Sequence, residues 1–469
     1  MRCTSNIISR IACWAICLCA FIARPDRLFA EQAATPPASI AAEQSQTAAA
    51  QPAATPRPPF PNRANDVLPA WLRVRAEFRE RVEGFANGGF VDTRDDLYYL
   101  SRIRLNATLT GKSIGAVVQV HDARVGDKSI GPTGAPFKAA FDLRQGFVDL
   151  GHAKTPLVAR LGRQELAFGD QRLVGHANWL NSGRTFDAAR LTVKTKPAHI
   201  DLFAASVVRI LDDEFDKSGN GNRFAGAYVS APQVIPQATA EPYLFWRRDT
   251  NQRAESGALD SLQQVTTGAR FVGRLPARLD YNLETVLQRG SLGPDAIRAW
   301  AGHWQLRETF SGAVTPRLTA EYNFASGDAD PTDGIRGTFD QLYPTAHDKY
   351  GLADQVGWRN IHHVRIGFDI TPIKATPVIV GYHAYWLAEA RDALYAASGA
   401  PLARVPAGAA STRVGQEIDL QVSRPLTPYL ALSAGYAHLF PGPFLNEATP
   451  GKSYSGSFVM VTYVFLADK

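Results

Sequence analysis

The stretch TFDQLYPTAHDKYGLADQ, Thr338 to Gln355, sets His347, Asp348 and Lys349 side by side, with Asp340 and Asp354 close by. An imidazole, a carboxylate and an ammonium can serve as base, orienting group and cation. Covalent hydrolysis also needs a nucleophile, and the stretch contains neither serine nor cysteine. No catalytic residue is assigned. The five residues Asp340, His347, Asp348, Lys349 and Asp354 read instead as one polar loop, whose role depends on the elements that carry it.

Metal chemistry has no firmer footing. His362 and His363 are adjacent, so on a strand their rings point to opposite sides. DKSGNGN, Asp216 to Asn222, matches the first positions of a calcium loop, but Ala227 stands where the bidentate carboxylate belongs. In DADPTDG, Asp328 to Gly334, the glycine comes one position late and Phe339 takes the last ligand place. Both read as turn-forming surface loops, and the expectation is no metal and no cofactor. Gly162-Arg163 and Gly169-Asp170 frame an ordered loop without the strand–loop–helix context of a phosphate cradle. The four cysteines, Cys3, Cys13, Cys17 and Cys19, all fall in the first 19 residues, so no disulfide or thiolate is available beyond them.

The segments that must position the loop alternate. In LRVRAEFRERV, Leu72, Val74, Ala76 and Phe78 oppose Arg73, Arg75, Glu77 and Arg79. In SRIRLNATL, Ile103, Leu105, Ala107 and Leu109 oppose Arg102, Arg104, Asn106 and Thr108. The pattern returns in DAARLTVK with Arg190 and Lys194, in RLDYNLETVLQ with Glu284, in PRLTAEYNF with Glu321, in HHVRIGFDI with Arg365, and in QEIDLQVS with Glu417 and Asp419. A period of two is a strand. A soluble sandwich hides its apolar face. Here one face is charged in strand after strand, and each strand runs about 9–11 residues, the length a tilted transmembrane strand needs.

No segment after the leader supplies the roughly 20 apolar residues of a membrane helix, and the mean hydropathy is −0.16. The expected fold is an all-β transmembrane antiparallel β-barrel, with long extracellular loops and short periplasmic turns such as GRLPAR, TPIKATP and RPLTPY. The loop of Asp340, His347, Asp348, Lys349 and Asp354 is then expected to fold into or over the pore as a gate. Trp71, Tyr98, Tyr99, Tyr243, Trp246, Trp300, Trp304, Tyr382 and Trp386 suggest interfacial girdles. SFVMVTYVF has the form of a C-terminal barrel-assembly strand, with LADK following Phe465.

Residues 1–30 read as a signal peptide, with Arg2 and Arg10 ahead of the apolar IACWAICLCAF. Residues 31–68, rich in Ala, Pro and Gln, read as a disordered periplasmic tether, and 69–469 as the barrel. The leader holds four arginines and one aspartate, so the remainder carries less than the +6 of the whole chain. That is too little to argue nucleic-acid binding.

GRQELAFGDQRLVGHANWLNSGRTFDAARL, Gly162 to Leu191, and SGDADPTDGIRGTFDQLYPTAHDKYGLADQVGWRNIHHVR, Ser326 to Arg365, resemble the alginate export family of outer-membrane porins. The resemblance runs from about Trp71 onward. It implies a monomeric barrel of about 18 strands in a Gram-negative outer membrane, passing anionic polysaccharide or related sugars through an arginine-lined pore. The residues add their own reason: rings of Arg or Lys select anions, and Arg grips carboxylates through a planar fork. The expected anion-selecting residues are Arg73, Arg75, Arg79, Arg102, Arg104, Arg190, Lys194 and Arg365, alongside a bracing role in cross-strand Arg–Glu pairs. Expected partners are membrane lipid and lipopolysaccharide, the barrel-assembly machinery, a periplasmic polysaccharide-secretion complex and the anionic saccharide. A general small-solute porin, an outer-membrane enzyme and a structural barrel are the alternatives.

Overall fold

The computed structural model describes residues 63–151, 155–212 and 214–465. The leader and nearly all of the tether lie outside the described residues. At the end of the segment assigned to the tether, Ala64–Val67 form one helical turn. Asn65 there holds the N–H and C=O of Val74 at 2.9 and 2.7 Å.

Eighteen long strands close into an antiparallel barrel. They are β1 (Leu72–Ala86), β2 (Asp96–Thr110), β3 (Ile114–Gly126), β4 (Ala139–Leu150), β5 (Leu157–Gln164), β6 (Phe186–Lys194), β7 (His199–Arg209), β8 (Lys217–Ile235) and β9 (Ala238–Arg253). The second half comprises β10 (Leu259–Leu275), β11 (Leu279–Leu292), β12 (Asp295–Thr309), β13 (Arg317–Ala325), β14 (Ile361–Ile373), β15 (Thr376–Trp386), β16 (Arg413–Pro425), β17 (Leu430–Pro441) and β18 (Tyr454–Phe465). Each pairs with the next, and β18 returns to β1, from Ala76 opposite Phe465 to Ala86 opposite Ser455. Closure leaves no open edge, which the hydrocarbon of a bilayer would not tolerate.

The connections sort by length. One end carries tight turns such as 111–113, 236–237 and 374–375; the other carries 165–185, 326–360 and 387–412. The surface is inverted relative to a soluble protein. Leu105 on β2 is 44 % exposed while its neighbour Arg104 is 6 % exposed. Ile103, Leu287 and Ile366 face outward like Leu105, and Arg79, Arg102, Glu321 and Glu417 face inward. Only a lipid exterior makes that arrangement favourable.

Three expectations change. Tyr98 and Tyr243 are not girdle residues: both are buried and face inward, donating to Glu83 at 2.6 Å and Glu284 at 2.7 Å. Trp71, Tyr99, Trp246, Trp300 and Tyr382 do face outward. Several strands also exceed the expected length, β8 having 19 residues and β10 having 17. Their ladders continue past the apolar belt, as does that of β9, where the inward Arg247 and Asp249 pair at 2.8 Å. Finally, DKSGNGN is mostly strand: Lys217 opens β8, and the register shift between Ser206 and Val208 on β7 absorbs its irregularity.

The buried apolar residues gather inside the barrel. Phe203, Phe224 and Phe245, on β7 to β9, point inward and form a wall of rings. Phe168 stacks at 4.8 Å on Tyr228, and Tyr343 meets Phe224 edge-on at 5.0 Å. Phe168 and Tyr343 belong to the connections 165–185 and 326–360, so this core exists to hold two loops in the lumen.

Candidate functional site

The connection 326–360 joins β13 to β14 and folds into the barrel. Its aromatic residues, which crowd the quoted stretch, supply the burial: Phe339, Tyr350 and Trp358 are at most 2 % exposed. Its backbone is satisfied by the inward side chains of distant strands. Gln288 on β11 binds the Asp340 N–H at 2.8 Å and C=O at 2.7 Å. Glu417 and Asp419 on β16 accept the N–H groups of Ala353 and Leu352, both at 2.9 Å. Tyr385 on β15 donates to Tyr350 O at 2.9 Å, and Arg247 on β9 pairs with Asp340 at 2.6 Å. A loop bonded to β9, β11, β15 and β16 crosses the lumen. Irregular backbone at this depth is permitted because protein, not lipid, surrounds it.

The connection 165–185 enters from the opposite wall. Arg79 on β1 donates to Asn178 O at 2.9 Å, Trp179 O at 3.0 Å and Leu180 O at 3.3 Å. Arg102 on β2 donates to Asn178 O at 3.0 Å and Leu180 O at 3.2 Å, and pairs with Glu77. Arg104 binds the Asn178 side chain, and Arg81 reaches Trp179 O at 2.7 Å with its guanidinium 3.8 Å from the indole. Arg79, Arg81 and Arg102 thus grip the loop mainly through its backbone carbonyl groups, and Arg104 grips it through the Asn178 side chain.

The two loops interlock. Tyr343 N donates to Leu173 O at 2.8 Å and Gly175 N to Tyr343 O at 2.9 Å. Thr345 bonds Gln171 at 2.8 Å, and Lys349 pairs with Asp170 at 3.2 Å. His347 lies flat on Trp179, ring centres 3.6 Å apart, and pairs with Asp354 at 2.8 Å. Two cavities of about 280 Å³ flank this constriction. His347, Arg81 and Lys128 line the one toward the long loops; Asp348, Lys349 and Arg365 line the one toward the turns; Leu352 faces both.

Burial lowers the basicity of His347, but Asp354 and Asp348 more than offset it and hold the imidazolium favoured above its usual range, against a smaller opposing effect of Arg81. A group with a raised folded value contributes its pairing fully below its unfolded value, and loses it as pH climbs through the higher folded value. The constriction therefore tightens in mild acid and loosens as pH rises through and above about 6.5. Open-channel current noise recorded across that interval should increase, and His347→Gln should flatten the dependence.

The structure brings together three of the arginines assigned from sequence, Arg79, Arg102 and Arg104, at the loop clamp. Arg365 lies across the lumen, 3.4 Å from Glu321. Arg75 is exposed, and Arg73 bonds Pro69 O at 2.9 Å near the turn end. Arg190 is tied to Asp201 at 2.8 Å, and Lys194 sits at the turn after β6. Sequence reasoning missed Arg81, Arg144, Arg172, Arg270 and Arg307. Arg81 continues the alternation of β1 and was legible. Arg144 was not, because a bulge in β4 switches the inward parity from Asp142 and Arg144 to Phe147. A G-x-S-x-G spacing does occur, at Gly111 to Gly115, but it sits at the turn between β2 and β3, without the helix a nucleophile elbow requires.

A closed barrel with an apolar outer belt and a charged lumen narrowed by its own loops defines an outer-membrane, porin-class barrel. Residues 70–457 match the alginate export family, and the chain belongs to that family. No curated protein matches it. Among solved structures it is similar to OccAB2 of Acinetobacter baumannii, with a TM-score of 0.57 at 10 % identity over 84 % of this chain and 98 % of that one. OccK9 (OpdG) of Pseudomonas aeruginosa gives 0.57 at 14 % identity, with the same coverage of 84 % and 98 %. OccK11 (OpdR) of Pseudomonas aeruginosa gives 0.55 at 13 %, covering 84 % and 96 %.

Proposed function

We propose that this barrel passes anionic saccharides, uronate-containing polymers among them, across the outer membrane along an arginine-lined path. The observation that carries the reading is the state of two guanidiniums on the turn-side cavity. Among the described residues Arg307 makes no ion pair; its Nε meets Thr319 Oγ1 at 3.4 Å. Arg365 reaches Glu321 only at 3.4 Å, while Arg172 holds the same carboxylate at 3.1 Å. Both retain donor capacity toward the lumen, and a sugar carboxylate matches the planar fork. Lipid and lipopolysaccharide surround the apolar belt, the assembly machinery reads β18, and a periplasmic secretion complex would deliver polymer to a monomeric barrel.

Reversal potentials across a planar bilayer in a KCl gradient test this. Anion preference is expected, and Arg307→Gln with Arg365→Gln should move it several-fold toward cations. Cation preference in the unaltered barrel would falsify the reading.

A further inference from the structure

The wall behind the loop clamp holds a second, smaller cluster. Arg104 on β2 stands directly opposite His121 on β3. Arg144 occupies the bulge between the Gln119–Gln145 and Val120–Leu143 pairs of β3 and β4. A bulge re-aims a side chain, and this one turns Arg144 inward toward Arg104. The three residues are 6 %, 3 % and 3 % exposed, for Arg104, His121 and Arg144.

The two guanidiniums converge on Gly183. A β-carbon there would lie 2.9 Å from Arg144 Nη2, 3.1 Å from Arg104 Nη2 and 3.3 Å from Arg144 Nε. Gly183 has φ +74, so the loop presents bare backbone at this point. Two like charges aimed at one spot in a water-poor wall repel unless something negative lies between them.

The neighbouring carboxylates are already engaged. Glu83 holds Arg81 at 2.6 Å, Glu77 holds Arg102, and Glu165 holds Arg144 Nη2. Asp142, opposite His121, accepts from the backbone N–H groups of Leu143 and Asp216. Among the described residues Arg79 pairs with no carboxylate but bonds four oxygens of the loop. Among the described residues Arg104 has one neutral partner, Asn178 Oδ1. Its Nε and Nη2 are buried without a partner, as are Arg144 Nε and both ring nitrogens of His121. A buried cation in that condition is costly, and a counter-ion relieves it.

We propose that Arg104, Arg144 and His121 form a resident site for a small monovalent inorganic anion of halide size, which neutralises Arg104 and fastens the loop at Gly183. The size class follows from enclosure: Arg104, His121 and Arg144 are each at most 6 % exposed, which admits a single-atom ion and excludes a sugar carboxylate. The resident character follows from location: none of these residues lines either lumen cavity. The site does not rest on the saccharide reading, since its anion stays in the wall.

Crystals of the intact protein grown in bromide should show an anomalous peak within hydrogen-bond distance of Arg104 and Arg144. Absence of a peak, with density fitting water, would overturn the assignment. Adding excess monomeric uronate should leave the peak in place. Its displacement would make the cargo carboxylate the ligand and overturn residency. In bilayers at equal ionic strength, spontaneous opening events should be several-fold more frequent in gluconate than in chloride. Arg104→Gln should remove that difference and Arg307→Gln should keep it; equal frequencies in the unaltered protein would count against the site. The bromide measurement needs no variant, so a folding failure of Arg104→Gln leaves the test intact.

Discussion

Replacing residues 340–354 with a Gly-Ser linker should raise single-channel conductance several-fold while the barrel still folds. The stretch is the cross-lumen part of the β13–β14 connection, and its removal takes away Leu352, which faces both cavities, together with the stacked His347. It also unties the second loop, which loses the Tyr343 backbone bonds, Thr345 to Gln171 and Lys349 to Asp170. The ladder does not depend on it: β13 and β14 pair directly from Arg317–Asp369 to Ala325–Ile361. Glu417 and Asp419 lose their N–H donors but face a wetter lumen, where a free carboxylate is cheap. Retained strand content with unchanged conductance would show that ions travel around this loop, and the gating assignment would fail.

The barrel was legible because lipid imposes a period of two on every strand, and the outward Ile103, Leu105 and Leu109 alternate with Arg102 and Arg104 in plain order. Where a bulge breaks the period, at Arg144, the reading broke with it. The loop was legible as a connection between PRLTAEYNF and HHVRIGFDI, and its aromatics were visible. That Phe339, Tyr350 and Trp358 serve as the hydrophobic anchor of an inward fold was not, since the partners sit on strands far away in sequence. The arginines show the limit most clearly. Alternation says that Arg79, Arg102 and Arg104 face inward; it cannot say that another loop's carbonyls will meet them there. A guanidinium facing water is free to meet an anion, whereas one facing Asn178 O and Leu180 O holds a loop in the lumen.

That difference gives Arg102→Gln with Arg104→Gln an outcome opposite to simple loss of selectivity. The double variant should conduct more, with noisier current, and remain anion-selective. Arg102 supplies two bonds to the loop backbone and the partner of Glu77, and Arg104 supplies the bond to Asn178. Removing one member of a buried pair costs about 3–5 kcal/mol. Here the cost falls on the loop-closed state, because an open loop lets water reach Glu77. Arg79 and Arg81 still hold Trp179 O, so the loop should flicker between closed and open rather than leave the lumen. Arg307 and Arg365 are untouched on the far cavity and, under the proposed function, should keep the preference for anions. Single-channel recordings with reversal potentials separate the two roles. Higher conductance at constant selectivity makes the pair a clamp; constant conductance with selectivity shifted to cations makes it the filter, and moves the saccharide path to this wall.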